Sequence, residues 1–447
     1  MKSILLRAGT VLVVTVGLAM PAGAQTGERA VFGGARAGSP TGETLNVTVD
    51  LAEAYDQDVV AGVGPAAQSL FQGSGLYTTM VPQLDFATHG GRVQVGITAG
   101  ASARYYAAPQ QEFLMMSESA GAGFSVSLTS QTSISFNQNV AYSPTLFSGL
   151  FASVGTPSLG DSASPTADYA NSARRSISYG TTAGLTHKFS TRATGVIRAG
   201  YHSDHFTGQE TGLADVQSKE VGGQFNYSLS RDMKLRFGYT YRQGQYLGLP
   251  QTIEHNGDIG VDYSRPLSKT RKTSFAISVG PVMADGALAN GVLANAVLPE
   301  GNSLDVRRQY RLVGDMSLIH QMGRTWNLKG TYHRGMGYIQ GFQGPVFTEA
   351  YAASADGLVN RKTDLSLTAA YSTGDSALIG SASPFTTYTG DARVRYALNH
   401  TVAAYVEYLF YFYDIGPGIV LPLGIPPGLT RNGVRVGVTM WVPVRRR

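Results

Sequence analysis

Residues 92–106, RVQVGITAGASARYY, repeat with a period of two. Val93, Val95, Ile97, Ala99, Ala101, Ala103 and Tyr105 are apolar, and the positions between them are polar or glycine. A β-strand sends successive side chains to opposite faces, so the stretch predicts a strand with one apolar and one wet face. It is about twice the length of a strand in a soluble protein. The pattern recurs along the chain. Leu45, Val47, Val49 and Leu51 alternate with Asn46, Thr48 and Asp50. Leu235, Phe237, Tyr239 and Tyr241 alternate with Lys234, Arg236 and Arg242, and Val434, Val436, Val438 and Met440 with Arg435, Gly437 and Thr439. In all, the sequence predicts about 18 strands (range about 16–18) of roughly 10–15 residues each. Segments 272–282 and 346–359 are the least regular.

The connections alternate in length. Short ones fall at 88–91, 230–232, 320–325 and 399–401, and long ones near 56–74, 143–174, 283–304 and 413–431. Beyond the N-terminus there is no run of ~18 apolar residues to form a membrane helix. Long one-faced strands with this rhythm of connections predict an all-β fold: a closed antiparallel transmembrane β-barrel with short periplasmic turns and long extracellular loops. Closure follows because an open sheet edge in hydrocarbon leaves backbone groups unpaired at several kcal/mol each. With both termini periplasmic, Tyr55, Tyr105, Tyr142, Tyr201, Tyr241, Tyr332, Tyr371 and Phe412 fall at the outer rim. Phe86, Phe189, Phe275 and Trp326 fall at the inner one. Aromatic girdles belong at those depths.

Composition agrees with this picture. Charged residues make up 15% of the chain, and it carries 55 glycines and 24 tyrosines. Soluble domains carry about 25% charge. Residues 1–24 read as a secretory signal peptide: Lys2 and Arg7, an apolar run, then Ala22-Gly23-Ala24 before a cut. Its removal lowers the net charge from +5 to +3. Residues 25–43 read as a flexible periplasmic lead-in, 44–444 as the barrel and 445–447 as a basic tail. The chain has no cysteine, which excludes a disulfide framework.

Over residues 44–444 the chain resembles bacterial outer-membrane β-barrel proteins of the porin type. The most specific match is the last strand, where Arg435, Gly437, Met440 and Val442 resemble the C-terminal signal read by the outer-membrane assembly machinery. The terminal aromatic usual there is absent, and Pro443 to Arg447 follow instead. The resemblance implies a location in the cell outer membrane of a Gram-negative bacterium. It also implies contact with outer-membrane lipid and leaves a homotrimer open as the assembly.

The candidate chemistry lies on the wet faces. Inward parity holds Arg92, Arg104, Arg198, Arg236, Arg242, Lys329, Arg393 and Arg395 with Asp258, Asp262 and Asp391, together with Lys234, Arg311, Arg435, Asp315, Asp364 and Glu407. A barrel of this size encloses a water channel, and such charges either bias ion passage or brace the wall by pairing. The slight basic excess predicts mild anion preference. The long segment Ser143–Arg175, with Asp161, Asp168, Arg174 and Arg175, is either an inward-folded constriction or a free external loop. The stretch YHSDHF (Tyr201–Phe206) offers His202, Ser203, Asp204 and His205, the residue types of a hydrolase or metal site. Ordinary loop polarity explains it equally well. The arginines are dispersed, without a stacking motif, which argues against nucleic acid. The sequence therefore predicts a porin-like channel for passive diffusion of small hydrophilic solutes, with no cofactor, no metal and no bond chemistry. An export conduit associated with exopolysaccharide secretion is the first alternative, and a barrel hydrolase using His202–His205 the second.

Overall fold

A computed structural model describes residues 42–57, 75–107, 112–146, 170–207, 214–248, 250–268, 271–288, 305–323, 325–340, 342, 344–377, 385–416 and 427–446. The expected signal peptide and most of the lead-in therefore lie outside the described residues. The described residues form eighteen strands: β1 (Gly42–Asp56), β2 (Gly75–His89), β3 (Val93–Ala107), β4 (Glu112–Ser127), β5 (Thr132–Leu146), β6 (Ala170–Lys188), β7 (Ala193–Phe206), β8 (Val216–Ser228) and β9 (Met233–Tyr246), then β10 (Thr252–Ser268), β11 (Arg271–Leu288), β12 (Asp305–Met322), β13 (Trp326–Gly337), β14 (Val346–Leu358), β15 (Thr363–Ser376), β16 (Phe385–Ala397), β17 (Val402–Ile415) and β18 (Gly428–Arg446). Each pairs antiparallel with its sequence neighbours, and β18 pairs with β1, so the sheet closes on itself. Strand number and spacing give a cylinder roughly 35 Å across between backbones.

Alternation is kept around the ring. On β1, Asn46, Thr48, Asp50, Ala52, Ala54 and Asp56 are buried inside, while Leu51 and Tyr55 are exposed outside. The register carries that parity from strand to strand. Leu235 on β9 lies opposite Val261 and Tyr227, and Val436 on β18 opposite Val406. Large apolar side chains cover the outer face, with Ile197 57% exposed and Val436 57%.

Near the long-connection end the outer face carries aromatic rings in sequence. Tyr332 and Tyr351 stand 4.9 Å apart, Tyr371 and Tyr388 5.0 Å, and Tyr388 and Phe412 5.6 Å. Such cross-strand pairs are the unit of sheet stabilisation. Glu118 and Lys219 also face outward, opposite Tyr142 and Tyr201 and so level with this girdle.

Among the described residues, short connections join strands at one end, at 90–92, 128–131, 189–192, 229–232, 359–362 and 398–401. A repeated local chemistry builds several of them. The Ser190 and Ser230 hydroxyls accept the amides two and three residues on, at 3.0–3.3 Å. Thr129 does the same for Gln131 and Thr132, and Asn399 for Thr401 and Val402. Ser, Thr and Asn side chains satisfy turn amides that the ladder cannot.

Two boundaries differ from the sequence reading. β1 starts at Gly42, and β18 runs past Pro443 to Arg446, so Arg445 and Arg446 are strand residues. Pro443, which has no amide to give, sits opposite Asn46 beside a register shift between Leu45 and Asn46.

Candidate functional site

The candidate site is the inner wall, and it has two unlike halves. On β4–β6 the inward positions carry Ser117, Ser119, Ser125, Ser135, Asn137, Asn139, Ser178 and Thr182 among small residues. These strands place hydroxyls and amides inside, and among the described residues they carry no ion pair across the channel. The charges gather on β8–β18 and β1, and there they pair. Arg242 reaches Glu220 at 3.1 Å and Glu254 at 3.4 Å. Arg236 lies between Asp258 at 3.9 Å and Asp262 at 3.7 Å. Arg395 holds Asp364 at 2.6 Å, and His333 holds Asp315 at 2.6 Å.

The seam where the two ends of the sheet meet is stitched in the same way. Arg393 on β16 reaches Asp50 on β1 at 3.2 Å, with its guanidinium 4.0 Å over the Tyr405 ring. Arg435 contacts Glu407 at 3.5 Å and the Tyr77 hydroxyl at 3.1 Å, and Arg431 pairs with Asp56. Arg104 is inward and buried on β3, and Asp391 is inward on β16 opposite Leu409. Arg198 and Lys329 face inward without an ion pair among the described residues. Arg92 departs from the expectation: it is exposed in the 90–92 turn, just before the wall begins. Of the last-strand residues, Arg435 and Gly437 face inward, while Met440 and Val442 are exposed outside.

One inward-folded stretch among the described residues is one the sequence reading missed. Between β13 and β14 the chain folds into the barrel. Met336 packs with Phe347, Val282, Ala284, Val313 and Ala377. The next residues cross the inner face to β9, four strands away. There the Ile339 amide donates to the Tyr246 hydroxyl at 3.0 Å, and that hydroxyl donates to the Ile339 carbonyl at 3.3 Å. Arg242 donates to the Met336 carbonyl at 3.0 Å. The Tyr338 ring lies so close to Gly244 that a Cβ there would stand 2.0 Å from it. In the other direction Phe342 meets Phe385 of β16 edge-to-face, with ring centroids 5.9 Å apart. Ile339 and Phe342 are 3% and 1% exposed. Burial raises the pKa of the Tyr338 phenol, which holds it in its neutral form.

The other expected constriction stands differently. Asp161 and Asp168 lie outside the described residues. Arg174 and Arg175 belong to the backbone of β6, not to a loop.

Alternation also separates the YHSDHF residues. His202 and Asp204 face inward, 3.1 Å apart, and Ser178 donates to Asp204. Ser203 and His205 have the opposite parity, and His205 pairs with Asp215. A nucleophilic serine needs a base within hydrogen-bond reach, and Ser203 has no such contact with either histidine.

The fold is thus a closed, inside-out barrel: apolar without, polar and ion-paired within. No protein-family model and no curated protein matches the chain. Solved structures similar to it include OpdO of Pseudomonas aeruginosa, at 12% identity and TM-score 0.41, covering 90% of this chain and 98% of that one. OpdQ of Pseudomonas aeruginosa (10%, TM-score 0.40, 90% and 98%) and OccAB3 of Acinetobacter baumannii (10%, TM-score 0.40, 90% and 99%) are similar to the same extent.

Proposed function

We propose that the chain is an outer-membrane channel through which small hydrophilic solutes diffuse passively. One observation carries the reading: bulky apolar side chains cover the outside of a closed barrel, while hydroxyls, amides and ion pairs line its inside. An apolar surface this extensive is unstable in water and at home in hydrocarbon. The short connections then face the periplasm and the aromatic girdle lies at the outer interface. Size selection falls to the inward-folded residues 338–340 and 342. Ion selectivity is weak, because most inner-wall arginines are neutralised by a carboxylate and the β4–β6 wall carries hydroxyls. Arg198 and Lys329 leave a small residual preference for anions. In the same reading Arg435, Gly437, Met440 and Val442 serve as the assembly signal.

The test is purified protein in planar bilayers. Stable conductance steps are expected, with a reversal potential close to zero under a KCl gradient. Correctly folded protein that never conducts refutes the reading.

A further inference from the structure

We infer that the short-turn end of the barrel is a ring of cations that binds the anionic headgroups of the phospholipid leaflet around it. The inference rests on the membrane reading above. At the opposite end, six acidic groups have a basic partner: Asp56 has Arg431, Asp204 has His202, Asp215 has His205, Asp285 has Arg308, Glu349 has Arg334 and Asp375 has Arg311. The short-turn end is built otherwise. Arg92 stands in 90–92, Arg192 in 189–192 and Arg231 in 229–232. Arg265 and Arg271 flank 269–270, with Lys272 beside them on the inward parity of β11, and Arg361 and Lys362 lie in 359–362. All eight are exposed, and none forms an ion pair among the described residues. Asp232 is the one acid among the described residues of these turns.

In three of the five turns an exposed apolar side chain stands beside these cations. Phe189 precedes Arg192 by three residues, Leu229 precedes Arg231 by two and Val359 precedes Arg361 by two. They are 63%, 44% and 59% exposed. An outward apolar side chain followed within a turn by a long cation fits the boundary between acyl chains and phosphates, where arginine and lysine extend toward the headgroups. The placement also selects the partner. The cations are spread over five turns around the circumference, not gathered on one side. Turns two strands apart are spaced roughly 10–12 Å, close to the spacing of headgroups in a leaflet. A compact acidic protein would touch only an arc of such a ring, whereas an annulus of phosphates meets all of it.

Spin-labelled lipids in reconstituted vesicles test this. Labelled phosphatidylglycerol and labelled phosphatidylcholine compete for the barrel surface. The preference for phosphatidylglycerol is expected to be about three- to fivefold at low salt and to fall toward one at high salt. Substituting Arg192→Gln, Arg231→Gln, Arg361→Gln and Lys362→Gln together should abolish most of it. Arg308→Gln, at the other end, should leave it intact. An inserted, conducting barrel that shows equal affinity for the two lipids overturns the inference. So does a preference that survives the fourfold substitution, and so does binding of soluble peptidoglycan fragments without any lipid preference. A chain that neither inserts nor conducts sinks the channel reading and this inference with it.

Discussion

Replacing Tyr246 with phenylalanine tests whether residues 338–340 and 342 are held inside the barrel by the contacts described. The hydroxyl accepts from the Ile339 amide and donates to the Ile339 carbonyl, at 3.0 and 3.3 Å. The substitution removes both bonds and almost no volume. Each is worth about 0.5–1.5 kcal/mol net. One of them is long, so about 1–2 kcal/mol of attachment is lost. That raises the detached population of the segment about 5- to 30-fold. Attachment is not abolished, because the Arg242 bond to the Met336 carbonyl and the Phe342–Phe385 contact remain. Two measurements read the change. Hydrogen exchange at the Ile339 amide should accelerate by that same factor. Single-channel traces should spend correspondingly more time in a larger open level. If both stay as in the parent protein, the segment is not held by this tyrosine, and the account of the constriction is wrong.

Two further perturbations address the wall. Arg395→Met strands Asp364 on the buried inner face without its guanidinium and should cost about 3–5 kcal/mol in equilibrium unfolding from vesicles; adding Asp364→Leu should recover most of this, and equal losses in single and double variants would refute the pairing. Gly437→Val places a Cβ 2.5 Å from the Leu51 carbonyl and 2.9 Å from the Tyr405 ring. It forces β18 away from β1, so loss of the compact, heat-resistant form on cold electrophoresis is expected, and unchanged migration would count against this seam.

What was legible in the sequence was whatever depends on parity. A period of two fixes which side chains share a face, and closure makes one face the inside. Inward placement of Arg236, Arg242, Arg393 and Arg395 and outward placement of Tyr105 or Val436 needed nothing more. Parity does not name partners. Arg393 finds Asp50 across 343 residues of sequence because the barrel closes β18 on β1, and no local pattern encodes that register. Parity also stops where the strand stops: Arg92 continues the alternation of Val93–Tyr105 on paper, yet Gly90-Gly91 end the ladder before it. Segment 338–345 escaped for a different reason. Length drew attention to the long connections, and this one is short. Its own composition carried a signal: Tyr338, Ile339 and Phe342 are apolar side chains in a connection, set among Gly337, Gly341 and Gly344. Apolar groups in a connection need cover, and inside a barrel that cover comes from strands far away in sequence. The decisive contacts, Tyr246 and Phe385, lie four strands back and on β16. A search for connections that are apolar for their length, not merely long, would have found it.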